Sequence, residues 1–174
     1  MRRRTLFAAA GFGVATLAII VGIGVHLLLR SGDDSATQLG NRQAVVEARG
    51  AHVMPFDQAQ TTHVFANTAD GGIETVTANA VNNTGQIALI RMHLAQEAQL
   101  FASGDFTDPA AIHGRNMPGL AALESGASQV TFTYADAPRG ATITYRTTST
   151  KLVDALHVWF DAQLSDHGRH AHGT

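Results

Sequence analysis

The sequence predicts an α+β domain: a two-layer sandwich of two ββα repeats, with a four-stranded antiparallel sheet carrying its helices on one face, following an N-terminal transmembrane helix. Three observations predict it. Ala88–Ala98 and Leu152–Ala162 both read as helices, and each carries a His-x-x-x-acid pair, His93 with Glu97 and His157 with Asp161. Each of these helices follows two short strand-like runs joined by a turn signal. A long uncharged apolar stretch occupies the first thirty residues.

Residues Met1–Arg4 are positively charged, and Thr5–Leu29 carries no charge. About 20 apolar residues span a bilayer core, so this stretch is long enough to cross one. The arginine-rich flank places the remaining chain outside the cytoplasm. An uncleaved anchor is expected rather than a cleaved signal, since the apolar run exceeds a signal peptide's core and no clear small-x-small site follows. Arg3-Arg4-Thr5-Leu6-Phe7 also resembles a twin-arginine export signal. The expected organisation is an anchor over residues 1–30, a polar linker over 31–50, an α+β domain over 51–166 and a histidine-rich tail over 167–174.

Within the domain, Thr61–Asn67 and Ile73–Ala78 form the first hairpin, turning at Asp70-Gly71-Gly72. Alternation leaves open which face of the second strand is buried. Asn82-Asn83-Thr84 is a helix N-cap cluster. The helix it starts, Thr84–Ala102, has the apolar stripe Ile87, Ile90, Leu94, Ala98 and Phe101. Ser103–Ala121 is irregular, with Asp108-Pro109 able to start a helical turn. Leu120–Gly126 is a short helix. Gln129–Tyr134 and Ala141–Thr147 form the second hairpin around Arg139-Gly140, and the last helix covers Leu152–Leu164 with Leu152, Leu156 and Trp159 inward.

Composition excludes several function classes. Once Arg2, Arg3, Arg4 and Arg30 are set aside, eight basic residues face 14 acidic ones. That balance argues against nucleic acid, which needs clustered Lys and Arg. No cysteine is present, which removes disulfides, thiolate metal sites and thiol nucleophiles. Phosphate loops, dinucleotide fingerprints and nucleophile elbows are absent. The unusual count is nine histidines. Histidine is the commonest metal ligand and the near-neutral proton switch.

Thr62-His63-Val64-Phe65, Ile112-His113-Gly114 through Met117-Pro118-Gly119, and Leu156-His157-Val158-Trp159-Phe160-Asp161 with Ser165-Asp166-His167 resemble a group of small exported, membrane-anchored, histidine-rich bacterial proteins commonly labelled "aspartate carbamoyltransferase". The resemblance covers about residues 54–167. The enzyme of that name carries a phosphate-binding Ser-Thr-Arg-Thr segment, which is not found here; Arg146-Thr147-Thr148-Ser149 is only superficially similar and sits at a strand end. The resemblance therefore implies no catalytic residues, and carbamoyltransferase activity is not expected.

Metal is the sharpest functional expectation. Thioether and imidazole in a cysteine-free chain suit copper, with another transition metal next. The expected ligands are His63, His93, His113, Met117 and His157. His63 is included because strand alternation aims it at the helix layer. The domain then serves as an extracytoplasmic, membrane-anchored metal-binding protein. Two alternatives stay open: a small envelope enzyme using histidine acid–base groups, and a non-catalytic subunit that binds a protein partner in a membrane assembly.

Overall fold

The computed structural model describes residues 15–174, with side chains from residue 34 onward. The compact unit is Asn41–Thr174. The expected membrane segment, Thr5–Leu29, lies outside the residues described with side chains. No helix among the described residues is long and apolar enough to cross a membrane.

Helix α1 spans Ala15–Val53. The stretch 31–50, expected as a polar linker, is thus helical, and the compact unit begins at Asn41 rather than at Ala51. The physical reason is visible in its last turns. Gln, Ala, Glu and Arg are good helix formers, and Val46 is buried in the core. Gln43 also donates to the Ser165 carbonyl at 2.9 Å.

Strands β1 (Thr61–Thr68) and β2 (Gly71–Ala78) form the first hairpin, and β3 (Thr131–Ala137) and β4 (Gly140–Arg146) the second. Both lie in one sheet because β2 pairs antiparallel with β4. The turns are tighter than expected, at Ala69-Asp70 and Pro138-Arg139, and Gly71 and Gly140 belong to the strands. Close approach of the two hairpins explains these glycines. A Cβ on Gly71 would sit 2.0 Å from the Tyr145 carbonyl oxygen, and one on Gly140 would sit 1.9 Å from that of Val76.

A fifth strand, β5 (Ala171–Gly173), pairs parallel with β1, so the sheet is mixed and ordered β3-β4-β2-β1-β5. This corrects the four-stranded antiparallel expectation, and it places Ala171–Gly173 of the histidine-rich tail in the sheet. The chain leaves the last helix at Gly168, whose φ of 52° reverses its direction, and returns along His63–Phe65.

Register places Thr61, His63, Phe65, Glu74, Val76, Ala141, Ile143 and Tyr145 on one face. The inward set of β2 is therefore Glu74, Val76 and Ala78. Helices α2 (Thr84–Ala102) and α5 (Thr150–His167) cover that face. Tyr145 touches Phe101 of α2 and both Trp159 and Phe160 of α5, which fixes the two helices to the same layer. The opposite face carries Thr62, Thr75, Thr77, Thr142 and Thr144. Between β2 and β3 lie α2, α3 (Thr107–His113) and α4 (Leu120–Gly126). Asn83 caps α2 by accepting from the Gln86 amide at 3.3 Å, and its stripe is buried as expected with Glu97 added to it.

Candidate functional site

Beneath the helices lies a cavity of about 50 Å³, bordered by the inward sheet face, α2, α3 and α5. Its position follows from side-chain size and polarity. The large aromatics Phe106, Tyr145 and Phe160 pack together beside it with Phe101 and Trp159, which also border it. Where β1 and β2 present His63 and Glu74, the facing helices offer His93, Glu97, Asp108, His113, Gln163 and His167. Polar groups meet there instead of hydrocarbon.

His113 ends α3, and its side chain is buried. Its Nδ1 lies 2.8 Å from Asp166 Oδ2. Asp166 sits on the last turn of α5 and is clamped on its other side by the Arg42 guanidinium. Arg42 also donates to the His113 carbonyl at 3.3 Å. Burial alone would push the Asp166 carboxyl up, but hydrogen bonds from His113 and Arg42 outweigh it and hold the group below the usual carboxylate range. An ionised Asp166 accepts a hydrogen bond from Nδ1–H, and the tautomer that makes this bond leaves the lone pair on Nε2.

The His167 ring stacks on His63 with centroids 5.0 Å apart and meets His113 edge-on at the same separation. Three imidazoles from β1, α3 and α5 thus form a contiguous series. Burial and the neighbouring histidines push His63 down to about 4 and lower His167 as well. His93, lowered by burial, stands edge-on to Phe56 on the far wall.

The acids behave oppositely. Glu97 is 5% exposed. Burial, with Asp108 against it, pushes its carboxyl up to about 9. Burial raises Glu74 to about 7 although the Tyr145 hydroxyl, donating at 2.8 Å, opposes the shift. At neutral pH the cavity therefore holds neutral imidazoles at His63 and His167 and a protonated Glu97.

Four buried side-chain atoms among the described residues lack a hydrogen-bond partner: His63 Nδ1, Glu97 Oε1, Trp159 Nε1 and Gln163 Oε1. All four residues border this cavity. Buried polar groups are nearly always satisfied, so their convergence marks a place that something polar completes.

His63, His93 and His113, expected from the sequence, come together here. Met117 and His157 do not. Met117 is buried and borders an outer groove with Arg42, Arg115 and Asp166. His157 Nε2 lies 3.1 and 3.0 Å from the carbonyls of Thr68 and Gly71, tying α5 to the first hairpin. No group of three or more His, Asp or Glu among the described residues is disposed to hold a metal ion.

Sequence reasoning missed Glu97 as a buried acid and Asp166, His167, Trp159 and Gln163 as site members. The signal for α5 was available: Leu152, Leu156, Trp159, Gln163 and Asp166 continue one stripe past the expected helix end.

No Ser, Thr, Lys or Arg borders the cavity. The arrangement suits proton transfer by His113, not acyl transfer to a hydroxyl or charge pairing with an anion. His113 also borders the outer groove, with the buried Asp166 and the half-exposed Arg42, so the His113–Asp166 pair lies between the cavity and that groove. No protein-family model, curated protein or solved structure matches the chain.

Proposed function

We propose that the domain is a small enzyme performing general acid–base chemistry in this cavity, with His113 as the base, Asp166 as the residue that orients it, and Glu97 as a neutral proton donor. The observation that carries this reading is the His113 ring, bonded through Nδ1 to a clamped carboxylate and bordering a cavity of unsatisfied polar groups. A positioned base with the correct tautomer contributes about 10²–10⁴-fold to a proton transfer.

A small carbon acid tests it without knowledge of the substrate. Acetone in D₂O should exchange its methyl protons faster with the protein than with equimolar imidazole, followed by proton NMR. His113→Asn and Asp166→Asn should each lower the excess rate by about 100-fold. Equal rates for the wild type and His113→Asn would sink the reading.

A second reading is metal binding, copper first, and it is favoured by the meeting of His63, His93 and His113 on one cavity that Met54 also borders. Saturable one-to-one binding of Cu(I), Cu(II) or Zn(II), lost in His63→Ala but kept in His170→Ala, would support it. Under either reading the domain works outside the cytoplasm, tethered by residues 5–29. The two ββα halves are taken as a duplication, in which only the His93–Glu97 pair became part of the site.

A further inference from the structure

The geometry points to the ligand class of this cavity: a small uncharged molecule of about four non-hydrogen atoms that carries a carbonyl or hydroxyl acceptor beside an N–H or O–H donor. The inference rests on the acid–base reading for its location, and its test is independent of turnover.

Size comes first. About 10–15 Å³ of such space holds one water-sized group, so a cavity of about 50 Å³ takes roughly four. Hydrogen-bond character comes second. Trp159 and Gln163 are four residues apart on α5 and share a helix face. Their unpaired atoms are Nε1, which only donates, and Oε1, which only accepts. A ligand must therefore accept from one and donate to the other at neighbouring points, as a carboxamide or a hydroxycarbonyl compound does. His63 Nδ1 and Glu97 Oε1, unpaired as well, add one polar atom each from the sheet and from α2.

Charge comes third. Among the cavity-lining side chains no Lys or Arg is present to pair an anion. A bare cation would leave the indole N–H facing a like charge. The carboxyl of Glu97 is held in its protonated form by burial and by Asp108, to which it is hydrogen-bonded; with Glu74, Asp108 also borders the cavity, and its hydrogen bond is shared with the Glu97 carboxyl in place of a cation.

Three isosteres separate these possibilities: acetamide, acetate and acetamidinium, nearly equal in size and differing in charge. Trp159 is the single tryptophan of the chain, so the full chain labelled with ¹⁵N-tryptophan gives one indole signal that reports on the cavity. Acetamide should shift it saturably, with a Kd at least tenfold below those of acetate and acetamidinium. Gln163→Leu should weaken acetamide at least tenfold. Val158→Ala, on the exposed side of α5, should hold its affinity within about threefold. Tighter binding of either charged isostere, a saturable Zn(II) or Cu(II) shift that acetamide fails to compete with, or no acetamide shift at all would overturn the inference. Acetamide binding without acetone exchange would remove the acid–base reading and leave the ligand class standing. Acetone exchange without acetamide binding would do the reverse.

Discussion

His113 Nδ1 and Asp166 Oδ2 meet at 2.8 Å across 53 residues of chain, joining the end of α3 to the end of α5. Neither residue's neighbours in sequence reveal the pair. It depends on α5 running a full turn past Leu164 and on α3 ending where Gly114, with φ 94°, turns the chain away. The pair is both a brace between two helix ends and the orienting element of the proposed base.

Replacing Asp166 by Ala should therefore cost stability as well as activity. It leaves the buried His113 ring without its acceptor and frees the Arg42 guanidinium. Breaking a buried pair costs about 3–5 kcal/mol, reduced here because Arg42 is half exposed, so about 2 kcal/mol is expected by urea denaturation at pH 7. The pH dependence has a definite sign. The folded-state carboxyl lies below its unfolded value, so its contribution is fully present above about pH 4 and disappears as pH falls through the folded value. Asp166→Asn should remove that acid-side slope. An unchanged acid limb would show that the brace does not contribute.

His63 should make the fold sensitive to mild acid. Its ring is buried and pushed down to about 4. Between about pH 6.5 and 4 the unfolded chain binds the proton that the folded one refuses, so stability is present above about 6.5 and is lost as pH falls toward 4. The loss from this group is on the order of 3 kcal/mol. His63→Gln should flatten that part of the curve in denaturant titrations run from pH 7 to 4. A stability difference between wild type and His63→Gln that stays constant over this interval would refute the buried neutral imidazole.

Gly71→Ala and Gly140→Ala should each destabilise strongly. Either Cβ would lie about 2 Å from a carbonyl oxygen of the neighbouring hairpin, and Gly71 also has φ 149°. Backbone cannot give way as a flexible side chain would, so about 3 kcal/mol or more is expected. Differential scanning calorimetry would read it, and a shift in midpoint of less than a degree would contradict the close β2–β4 approach.

These sites also show what the sequence makes legible. The stripe of α2, the bounds of α4 and the two hairpins are local patterns, and each appears where periodicity and turn chemistry put it. His63 was legible because strand alternation has only two outcomes. β5 was not, because Ala171-His172-Gly173 has no strand pattern and pairs only after Gly168 redirects the chain. The helix over 31–50 was less legible because the stretch is polar, and its order shows in the Val46 side of α1, which packs in the core. Spacing pairs Glu97 with His93 on one helix face, but spacing alone does not tell a buried acid from an exposed one. The burial of Glu97 depends on Asp108 and on the sheet, both distant in sequence. The apparent equivalence of His157 and His93 dissolves for the same reason: identical spacing on two helices does not give them identical neighbours.

The short strand β5 should be a protective element. Ala171 pairs with His63, and Thr174 donates its amide to the Phe65 carbonyl at 3.3 Å. Truncation after His167 would expose the edge of β1 beside the cavity. Amides of His63 and Phe65 should then exchange with deuterium at least tenfold faster, while those of β4 stay protected. Equal exchange in the truncated and full chains would mean the tail is frayed after all.

Glu97 gives the sharpest prediction about the cavity's charge state. Its carboxyl is pushed up to about 9, by burial first and by Asp108 second. A group raised in the folded state contributes stability that is fully present below its unfolded value, near pH 4.5, and is lost as pH rises through the folded value. The contribution of Glu97 should therefore weaken steadily from pH 5 toward pH 9. Glu97→Gln keeps the shape and hydrogen-bonding ability of the neutral acid but has no proton to lose. The variant should be close to wild type at pH 5 and more stable by on the order of 2 kcal/mol at pH 8. Chemical denaturation at the two pH values decides it. Should Glu97→Gln instead be less stable at pH 8, the carboxylate is ionised in the fold, and the cavity is built for a cation after all.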